Sequence, residues 1–472
     1  MNHLTDASAA GPGEGHALVI GGSLAGLLAA RVLADHFDRV TIVERDDYPP
    51  GPAPRRGVPQ ARHVHALMRR GQLLLDELFP GLPGQLVAAG ALVLDSAREM
   101  AMLTPAGWAV RFPSDLSMLA CTRDLIDWYV RRRLKLFPQI SFREGGTVTR
   151  LLPQTSGRRV AGAVVRFGDQ SGEGEEQTIL ADLVVDASGR GSRAPQWLKE
   201  LGCAPPVETT VNAFLGYASR LYRPAADFDP GWKSLYIQPA PPGRKRGCLI
   251  FPVEGGRWLA TMWGGGRDYP PTDDAGFLEF ARSLPGSHAY DALRAAEPLS
   301  AVSVTHSTEN RLRHYERLAR QPDNFLVTGD AVCAFNPVYG QGMTVAALGA
   351  QTLAGLLREA GGRQTSGFAR RFQRRLADIN RGPWGLATSS DYRYREVAAA
   401  PPGLSTRLMH RYLDEIIQLS TERPEVRRVL MEVFHMLRPP TALFGPGVVR
   451  HVVARLGVKR TSPPGVAMPT TA

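Results

Sequence analysis

The feature that most constrains this fold is the stretch 325–348, FLVTGDAVCAFNPVYGQGMTVAAL. A short apolar run leads into Gly329 and Asp330, and a glycine-rich turn then opens a second apolar run with helical character. Glycine-rich turns let backbone N–H groups approach a ligand closely, and the helix N-terminus behind such a turn favours negative charge. The stretch therefore predicts a strand–turn–helix joint that faces an anionic ligand.

A second signature lies at the other end of the chain. Its predicted elements are a strand at 16–20, a tight turn at 21–26, a helix at 27–37 and a strand at 39–43. Glu44 follows the second strand, where an acid binds a ribose hydroxyl of a dinucleotide. Ser23 replaces one glycine of the usual G-x-G-x-x-G turn, and its hydroxyl can donate to a phosphate oxygen. The order of these parts predicts a βαβ unit that binds a dinucleotide.

The rest of the chain indicates which dinucleotide this is. A nicotinamide dehydrogenase would normally continue into a separate substrate domain, whereas here a second cofactor segment returns about 300 residues later, as expected for the longer FAD. Between the two lies 181–193, ADLVVDASGRGSR, a strand that ends at Asp186 before a glycine-containing turn. Together the three motifs resemble the FAD-dependent monooxygenases of the para-hydroxybenzoate hydroxylase-like fold. That family usually has Gly-Ala-Asp-Gly where this chain has DASG at 186–189.

Three runs sharpen the resemblance: RGVPQARH at 56–63, DLVVDASGRGSRAPQWL at 182–198 and FNPVYG at 335–340. They are most similar to bacterial polyether flavin epoxidases, which act on polyene polyketides. Squalene epoxidases carry a related Pro-x-x-Gly-x-Gly-Met turn, matched here from Pro337 to Met343. The similarity covers most of the chain.

The resemblance implies an α/β fold: a Rossmann-like FAD-binding domain interleaved with an antiparallel-sheet substrate domain, followed by a C-terminal helical segment. The predicted division is a disordered N-terminus at 1–15, the first part of the FAD-binding domain at 16–205 with a substrate-domain insertion near 90–115, the substrate domain at 206–315, the second part of the FAD-binding domain at 316–382, and a helical cap and tail at 383–472.

The resemblance also implies which residues hold FAD. Those residues are Gly21, Ser23, Leu24, Ala25, Gly26, Glu44, Arg45, Arg56, Arg123, Val148, Asp330, Pro337, Gly340, Gly342 and Met343. Asp330 would bind the ribityl hydroxyls, and Pro337, Gly340 and Gly342 would position the flavin ring. Arg123 has an alternative interpretation as an exposed arginine at the start of a helix. No side chain is predicted to be catalytic, because the flavin carries the chemistry.

Alternating, aromatic-rich runs between residues 211 and 263 predict the antiparallel strands of the substrate domain. The predicted substrate-binding residues are Phe214, Tyr217, Phe251, Met262 and Trp263. An aromatic stripe of this kind is also compatible with an ordinary core. Glu254 is the only carboxylate near these strands in sequence, which favours an alkene over a phenol, because a phenol reacts well only when a base removes its proton.

The predicted function is therefore that of an FAD-dependent monooxygenase which inserts one atom of O2 through a flavin C4a-hydroperoxide. The predicted substrate is an apolar, olefinic small molecule such as a polyketide or terpenoid-like intermediate, with epoxidation as the reaction. NAD(P)H would supply electrons directly or through a separate flavin reductase. The alternatives are an aromatic or indole hydroxylase on the same scaffold, a flavin reductase similar to geranylgeranyl reductases, and a flavin-binding partner protein without turnover.

Composition narrows the partners. The net charge is +11, but only five of the 56 basic residues are lysine and the arginines are spread along the chain, so no nucleic-acid partner is predicted. The four cysteines form no C-x-x-C pair, and His63 and His65 are interpreted as polar packing residues, so no metal site is predicted. With no signal peptide and no spanning helix expected, a cytoplasmic location is predicted.

The tail from residue 383 has a helical pattern. Its apolar stripe consists of Val426, Val429, Leu430, Val433, Phe434 and Leu437. The stripe has two interpretations: helices packed as a cap over the substrate domain, or a peripheral contact with a membrane.

Overall fold

The computed structural model describes residues 15–155, 157–168, 174–362 and 365–455. The predicted disordered N-terminus, apart from Gly15, and the tail beyond residue 455 lie outside the described residues. The helices, numbered along the chain, are α1 (Leu24–Leu33), α2 (Arg69–Leu78), α3 (Leu82–Ala88), α4 (Arg123–Leu134), α5 (Ala194–Glu200), α6 (Asp274–Arg282), α7 (His288–Ala295), α8 (Gly342–Glu359), α9 (Phe368–Asp391), α10 (Leu404–Leu419), α11 (Pro424–Phe434) and α12 (Pro446–Arg455).

The strands are β1 (His16–Ile20), β2 (Arg39–Val43), β3 (Leu92–Asp95), β4 (Met100–Thr104), β5 (Gly107–Trp108), β6 (Ser117–Ala120), β7 (Ile140–Arg143), β8 (Gly146–Pro153), β9 (Val160–Gly168), β10 (Gly174–Leu180), β11 (Leu183–Asp186), β12 (Glu208–Val211), β13 (Gly216–Arg223), β14 (Ser234–Ile237), β15 (Arg246–Val253), β16 (Arg257–Gly264), β17 (Glu297–Pro298), β18 (Ser303–Thr305), β19 (Asn310–Arg313), β20 (Phe325–Val327) and β21 (Cys333–Ala334).

A five-stranded parallel sheet forms the centre of the first unit, in the order β20-β11-β1-β2-β7. Its middle strand β1, HALVI, is buried along its whole length, which is why 17–20 is a continuous apolar run. α1 packs on this sheet, and the three-stranded sheet β10-β9-β8 also contacts it through β9 and β8. α1 packs against α8 and also against α4. The predicted α/β fold with a Rossmann-like FAD-binding unit is confirmed.

An eight-stranded sheet forms the second unit, in the order β17-β13-β16-β15-β14-β4-β5 with β18 beside β13. β4 and β5 come from the segment predicted near 90–115, and β4 pairs with β14 in parallel, while the other pairs are antiparallel. One face packs on α6 and α7 through Ala218, Ile250 and Met262. The alternate residues Tyr217 and Trp263 lie on the other face. The predicted domain boundaries themselves stay a prediction.

The last three helices pack on one another. Val426 and Val433 from the predicted apolar stripe are buried in this cluster, together with Ile416, Val448 and Val452. The stripe is therefore used for packing between α10, α11 and α12. No helix in the described part of the chain is long and apolar enough to cross a membrane.

This helical cap is fixed to the rest of the molecule by buried polar groups. His435 follows α11 and is completely buried; its Nδ1 accepts from the Arg69 backbone N–H at 3.2 Å, and its Nε2 lies 2.8 Å from Ser96 Oγ. Arg427 on α11 is 1% exposed and donates to the Val110 carbonyl. All three contacts join the cap to residues more than 300 positions earlier in the chain.

Candidate functional site

A cavity of about 450 Å³ lies where three strand–turn–helix joints meet. We call it the cradle. Its walls are the β1–α1 turn, the turn after β11, the segment from Gly329 to Asp330 and the start of α8, with additional residues from 57–66 and from the start of β8. The predicted cofactor residues that line the cradle are Gly21, Ser23, Leu24, Ala25, Glu44, Arg45, Arg123, Val148, Asp330, Pro337, Gly340, Gly342 and Met343. The three motifs read from the sequence therefore surround one space.

The glycines of the first turn allow close packing within the protein. Gly21 has φ +97°, and a Cβ there would lie 2.6 Å from the Ala187 carbonyl oxygen. A Cβ on Gly26 would lie only 1.9 Å from the Gly21 carbonyl oxygen. Gly26 is not among the residues that line the cradle, so its role here is to bring α1 close to the turn.

Charge in the cradle is predominantly positive. Among the described residues, those with charged side chains that line it are Arg45, Arg55, Arg123, Arg190, Arg193, Glu44 and Asp330. Arg123 is buried, is held by Asp127 at 2.8 Å, and donates to Ser23 Oγ at 3.0 Å. The alternative interpretation of Arg123 as an exposed arginine is therefore wrong. Five arginines around one cavity suit a pyrophosphate.

Glu44 is buried, and its carboxylate accepts from the Gly22 backbone N–H at 2.7 Å. Arg55 pairs with it at 2.9 Å and also donates to the Gly22 carbonyl. Arg56, the residue predicted to contact FAD, is exposed and does not line the cradle. Its neighbour Arg55 lines the cradle instead. Nothing in the local pattern around Arg55 and Arg56 indicates which of the two turns inward.

Asp330 lines the cradle, and among the described residues its carboxylate makes no hydrogen bond with another side chain. Burial raises its pKa, while the nearby guanidinium groups of Arg190, Arg123 and Arg311 oppose this rise. Asp330 is half-buried, so its carboxylate is open on the cradle side and can accept from a ligand there. Hydroxyl groups such as those of a ribityl chain can donate to it, so Asp330 and the arginines together fit FAD.

The turn Pro337–Tyr339 separates the cradle from a second cavity. Pro337 lines the cradle, whereas Val338 and Tyr339 line the other side. Gly340 then adopts φ +64°, a left-handed conformation that glycine tolerates. α8 begins at Gly342, and its first residues, Gly342 and Met343, line the cradle. The same short turn thus borders both spaces.

The second cavity has a volume of about 560 Å³ and lies between the eight-stranded sheet and the helical cap. The buried side chains of its inner wall are Leu215, Trp263 and Tyr394. Charged side chains come from the cap: Arg393 pairs with Asp414 at 2.7 Å, while Glu415 and Arg455 lie 3.6 Å apart. The cavity therefore has an aromatic interior and a paired, polar outer wall.

Of the five predicted substrate-binding residues, only Trp263 lines this cavity. Met262 points to the opposite face of the sheet, because side chains alternate along a strand. Phe251 is fully buried in a cluster with Met100 and Met118. Phe214, with φ +50°, packs under the Arg267 guanidinium at 3.7 Å. Met262, Phe251 and Phe214 therefore lie outside this cavity, and their predicted contact with substrate stays a prediction.

Tyr217 supports the turn and does not line the cavity. Its hydroxyl donates to Asn336 Oδ1 and accepts from the Val338 backbone N–H at 3.0 Å. Burial raises its pKa well above the usual range, so the phenol stays protonated. Tyr217 therefore fixes the turn from the sheet side.

Asp391, at the end of α9, was missed by the sequence analysis. It is fully buried and accepts from Tyr339 Oη at 2.5 Å and from Asn310 Nδ2 at 2.7 Å. Burial raises its pKa to about 7 despite these donors. No local pattern indicated this residue, because its partners lie 52 and 81 positions away in the sequence.

The comparisons with known proteins agree with this arrangement. The family model described as FAD binding domain matches residues 14–364. This chain belongs to that family of FAD-binding proteins. It is therefore an FAD-dependent oxidoreductase with an FAD-binding unit. Protein Rv3254 of Mycobacterium tuberculosis is 34% identical over 398 residues, which cover 82% of each chain.

Solved structures show the same fold at low sequence identity. The flavin-dependent brominase Bmp2 superposes with a TM-score of 0.66 at 14% identity, covering 94% of this chain and 99% of that one. The flavin-dependent halogenase CmlS gives 0.64 at 17%, with coverage of 96% and 78%. PqsL, a probable FAD-dependent monooxygenase from Pseudomonas aeruginosa, gives 0.58 at 15%, with coverage of 81% and 98%. The chain thus has the fold of FAD-dependent monooxygenases and halogenases.

Proposed function

We propose that this chain is a monooxygenase that epoxidises C=C bonds of an apolar, olefinic small molecule, such as a polyketide or terpenoid-like intermediate. The observation that carries the proposal is the turn Pro337–Tyr339, which has the FAD cradle on one side and the aromatic cavity on the other. FAD, when bound, supplies the activation of O2. A substrate in the aromatic cavity would lie next to the turn that borders the cofactor.

The lining of the cavity favours an uncharged, unsaturated substrate. Leu215, Trp263 and Val338 offer apolar surface, and the charged groups of the cap are already paired with one another. The protein's contribution would be to exclude water and to present one face of a double bond. Oxygen transfer to an alkene requires no protein base.

Aromatic hydroxylation is the second candidate, and the pair formed by Tyr339 and Asp391 favours it. Tyr339 lines the cavity, and its hydroxyl bonds a carboxyl group whose pKa is raised to about 7. Such a pair can receive the proton of a phenol. Asp391 was not expected from the sequence, in which Glu254 is the only carboxylate near the strands of the sheet.

The electron donor is proposed to be NAD(P)H, acting directly or through a separate flavin reductase. The chain is proposed to work in the cytoplasm on a small molecule. A peripheral membrane contact remains a separate hypothesis, testable by liposome sedimentation with and without residues 383–472.

The test is product analysis with isotopically labelled O2. The holoenzyme would receive NADPH or NADH, a flavin reductase, chloride and bromide, and a panel of linear polyenes, indoles and phenols. We expect one labelled oxygen per epoxide, recovered as a diol after hydrolysis. Label found only in indoles or phenols would replace epoxidation by hydroxylation. Halogenated products, or saturated products formed without O2, would overturn the monooxygenase proposal.

A further inference from the structure

For most hydrogen bonds around Asp391, only one of the two partners can be the donor. The Asn336 backbone N–H can only donate, and it donates to Asn310 Oδ1 at 2.8 Å. This contact fixes the orientation of the Asn310 amide, so that its Nδ2 must point to Asp391 Oδ2 and donate. One oxygen of Asp391 is therefore always an acceptor.

The other oxygen of Asp391 faces Tyr339. When the carboxyl group is ionised, the phenol donates to Oδ1, and the lone pair of the phenol oxygen remains available. When the carboxyl group is protonated, a proton on Oδ1 keeps both hydrogen bonds, because Oδ2 still accepts from the Asn310 amide while the new O–H on Oδ1 donates to Tyr339. The bond then reverses, and the Tyr339 O–H must turn to another acceptor.

We propose that Tyr339 is a specificity-determining residue of the second cavity, which donates a hydrogen bond to a ligand oxygen when Asp391 is protonated and accepts one when Asp391 is ionised. Tyr339 belongs to the wall of that cavity, whereas Asp391 lies behind it and acts through it. A substrate hydroxyl group can accept from Tyr339 when Asp391 is protonated and donate to it when Asp391 is ionised. A substrate carbonyl oxygen can only accept, so it bonds to Tyr339 only when Asp391 is protonated. This inference rests on the proposed function, since it takes the second cavity as the substrate site.

The change in hydrogen bonding of Tyr339 is assigned to the ionisation of Asp391, because the neighbouring phenols and amide keep their protons near neutral pH. Burial raises the pKa of the Tyr339, Tyr217 and Tyr394 phenols, which therefore stay protonated near neutral pH. Asn310 does not titrate. The charged groups that line the cavity are the cap residues Arg393, Asp414, Glu415 and Arg455. Asp391 itself has a pKa raised to about 7 by burial.

The test compares three neutral probes of similar size: 2-naphthol, 2-acetylnaphthalene and naphthalene. Their dissociation constants for the oxidised FAD holoenzyme would be measured by calorimetry at pH 6 and pH 8, without an electron donor. We expect 2-acetylnaphthalene to bind about fivefold more tightly at pH 6, as one neutral hydrogen bond contributes. Its affinity should fall as the pH rises through about 7. The other two probes should change by less than about twofold.

Two substitutions sharpen the test. In Asp391→Asn the amide oxygen must accept from Asn310, so the amide nitrogen donates to Tyr339 and mimics the protonated acid. We expect 2-acetylnaphthalene to bind at pH 8 as it does to the wild type at pH 6. Tyr339→Phe should remove the preference at both pH values. Asp414→Asn, in the outer wall of the cavity, is the control and should keep the wild-type dependence on pH.

The proposal is overturned if 2-acetylnaphthalene binds equally at both pH values in the wild type, or if the dependence disappears in Asp414→Asn and persists in Asp391→Asn. Equal affinities in Tyr339→Phe and the wild type would also overturn it, as would failure of all three probes to bind. Since no turnover is involved, oxygenation assays fail or succeed independently of this result.

Discussion

The cradle and the second cavity are built in different ways from the same chain. A large part of the cradle consists of turns that follow strands of the parallel sheet, such as Gly21 after β1 and Gly329 after β20. The second cavity combines side chains from the β-sheet, the turn at 337–339 and the helical cap, and these have no common local pattern. Local order in the sequence therefore specifies the cradle, whereas tertiary packing specifies the second cavity.

The largest effect is expected from a substitution in the β1–α1 turn, which tests whether FAD binding depends on the close packing of that turn. Gly26→Ala would place a Cβ 1.9 Å from the Gly21 carbonyl oxygen. We expect the free energy of unfolding to fall by about 3 kcal/mol and bound FAD to be lost. The measurements are thermal unfolding and the ratio of flavin to protein absorbance. Gly84→Ala on α3, where a Cβ meets nothing within 4 Å, is the control, and full FAD occupancy in Gly26→Ala would contradict the expectation.

Substitutions of two neighbouring residues on β16 are expected to affect different properties, one the stability of the fold and the other the binding of a ligand. Met262→Ala should lower the free energy of unfolding by about 3 kcal/mol, because its side chain is fully buried against α6 and α7, and should leave naphthalene affinity unchanged. Trp263→Ala removes cavity wall and should weaken naphthalene binding about tenfold. Denaturant unfolding and calorimetry measure the two effects. A change in affinity in Met262→Ala alone would reverse the assignment of the sheet faces.

A pH titration tests how the cap is held. Burial lowers the pKa of His435 from 6.5 to about 4, and its Nδ1 accepts from a backbone N–H, which leaves no room for a second ring proton. The folded state favours the neutral ring, so stability should fall as the pH drops from 6.5 towards 4, by up to about 3 kcal/mol. His435→Gln should show a shallower fall in urea unfolding between pH 7 and pH 4.5. An identical slope in the two proteins would assign the acid sensitivity to other groups.

A substitution in the cradle separates cofactor affinity from folding. Asp330→Ala removes a half-buried carboxylate that has no side-chain partner among the described residues, so the apoprotein should keep its melting temperature. The affinity for FAD should fall by about 2 kcal/mol, or roughly 30-fold, because bonds to a charged acceptor are lost. Fluorescence titration of apoprotein with FAD measures this, with Asp330→Asn as the variant that keeps one acceptor. Unchanged affinity in Asp330→Ala would remove Asp330 from the FAD site.

The sequence was sufficient for the fold and for the outline of the cradle, because buried parallel strands followed by glycine turns have a local signature. It was insufficient to decide which of two adjacent residues points into a cavity. Arg55 turns inward and Arg56 outward, while Trp263 and Met262 lie on opposite faces of β16. Asp391 carried no signal, since an aspartate near a helix end is normally exposed and only the fold brings Asn310 and Tyr339 to it.

The strand order of the parallel sheet also bears on biosynthesis. β1 needs β11 as its neighbour, and β11 in turn needs β20, so residues 16–20 and 183–186 await partners made much later. Until residue 327 has left the ribosome, β11 presents an unpaired, strongly apolar edge. Such edges promote association between unfinished chains. Expression of this protein should therefore depend more on chaperones and slow translation than the stability of the finished molecule would suggest.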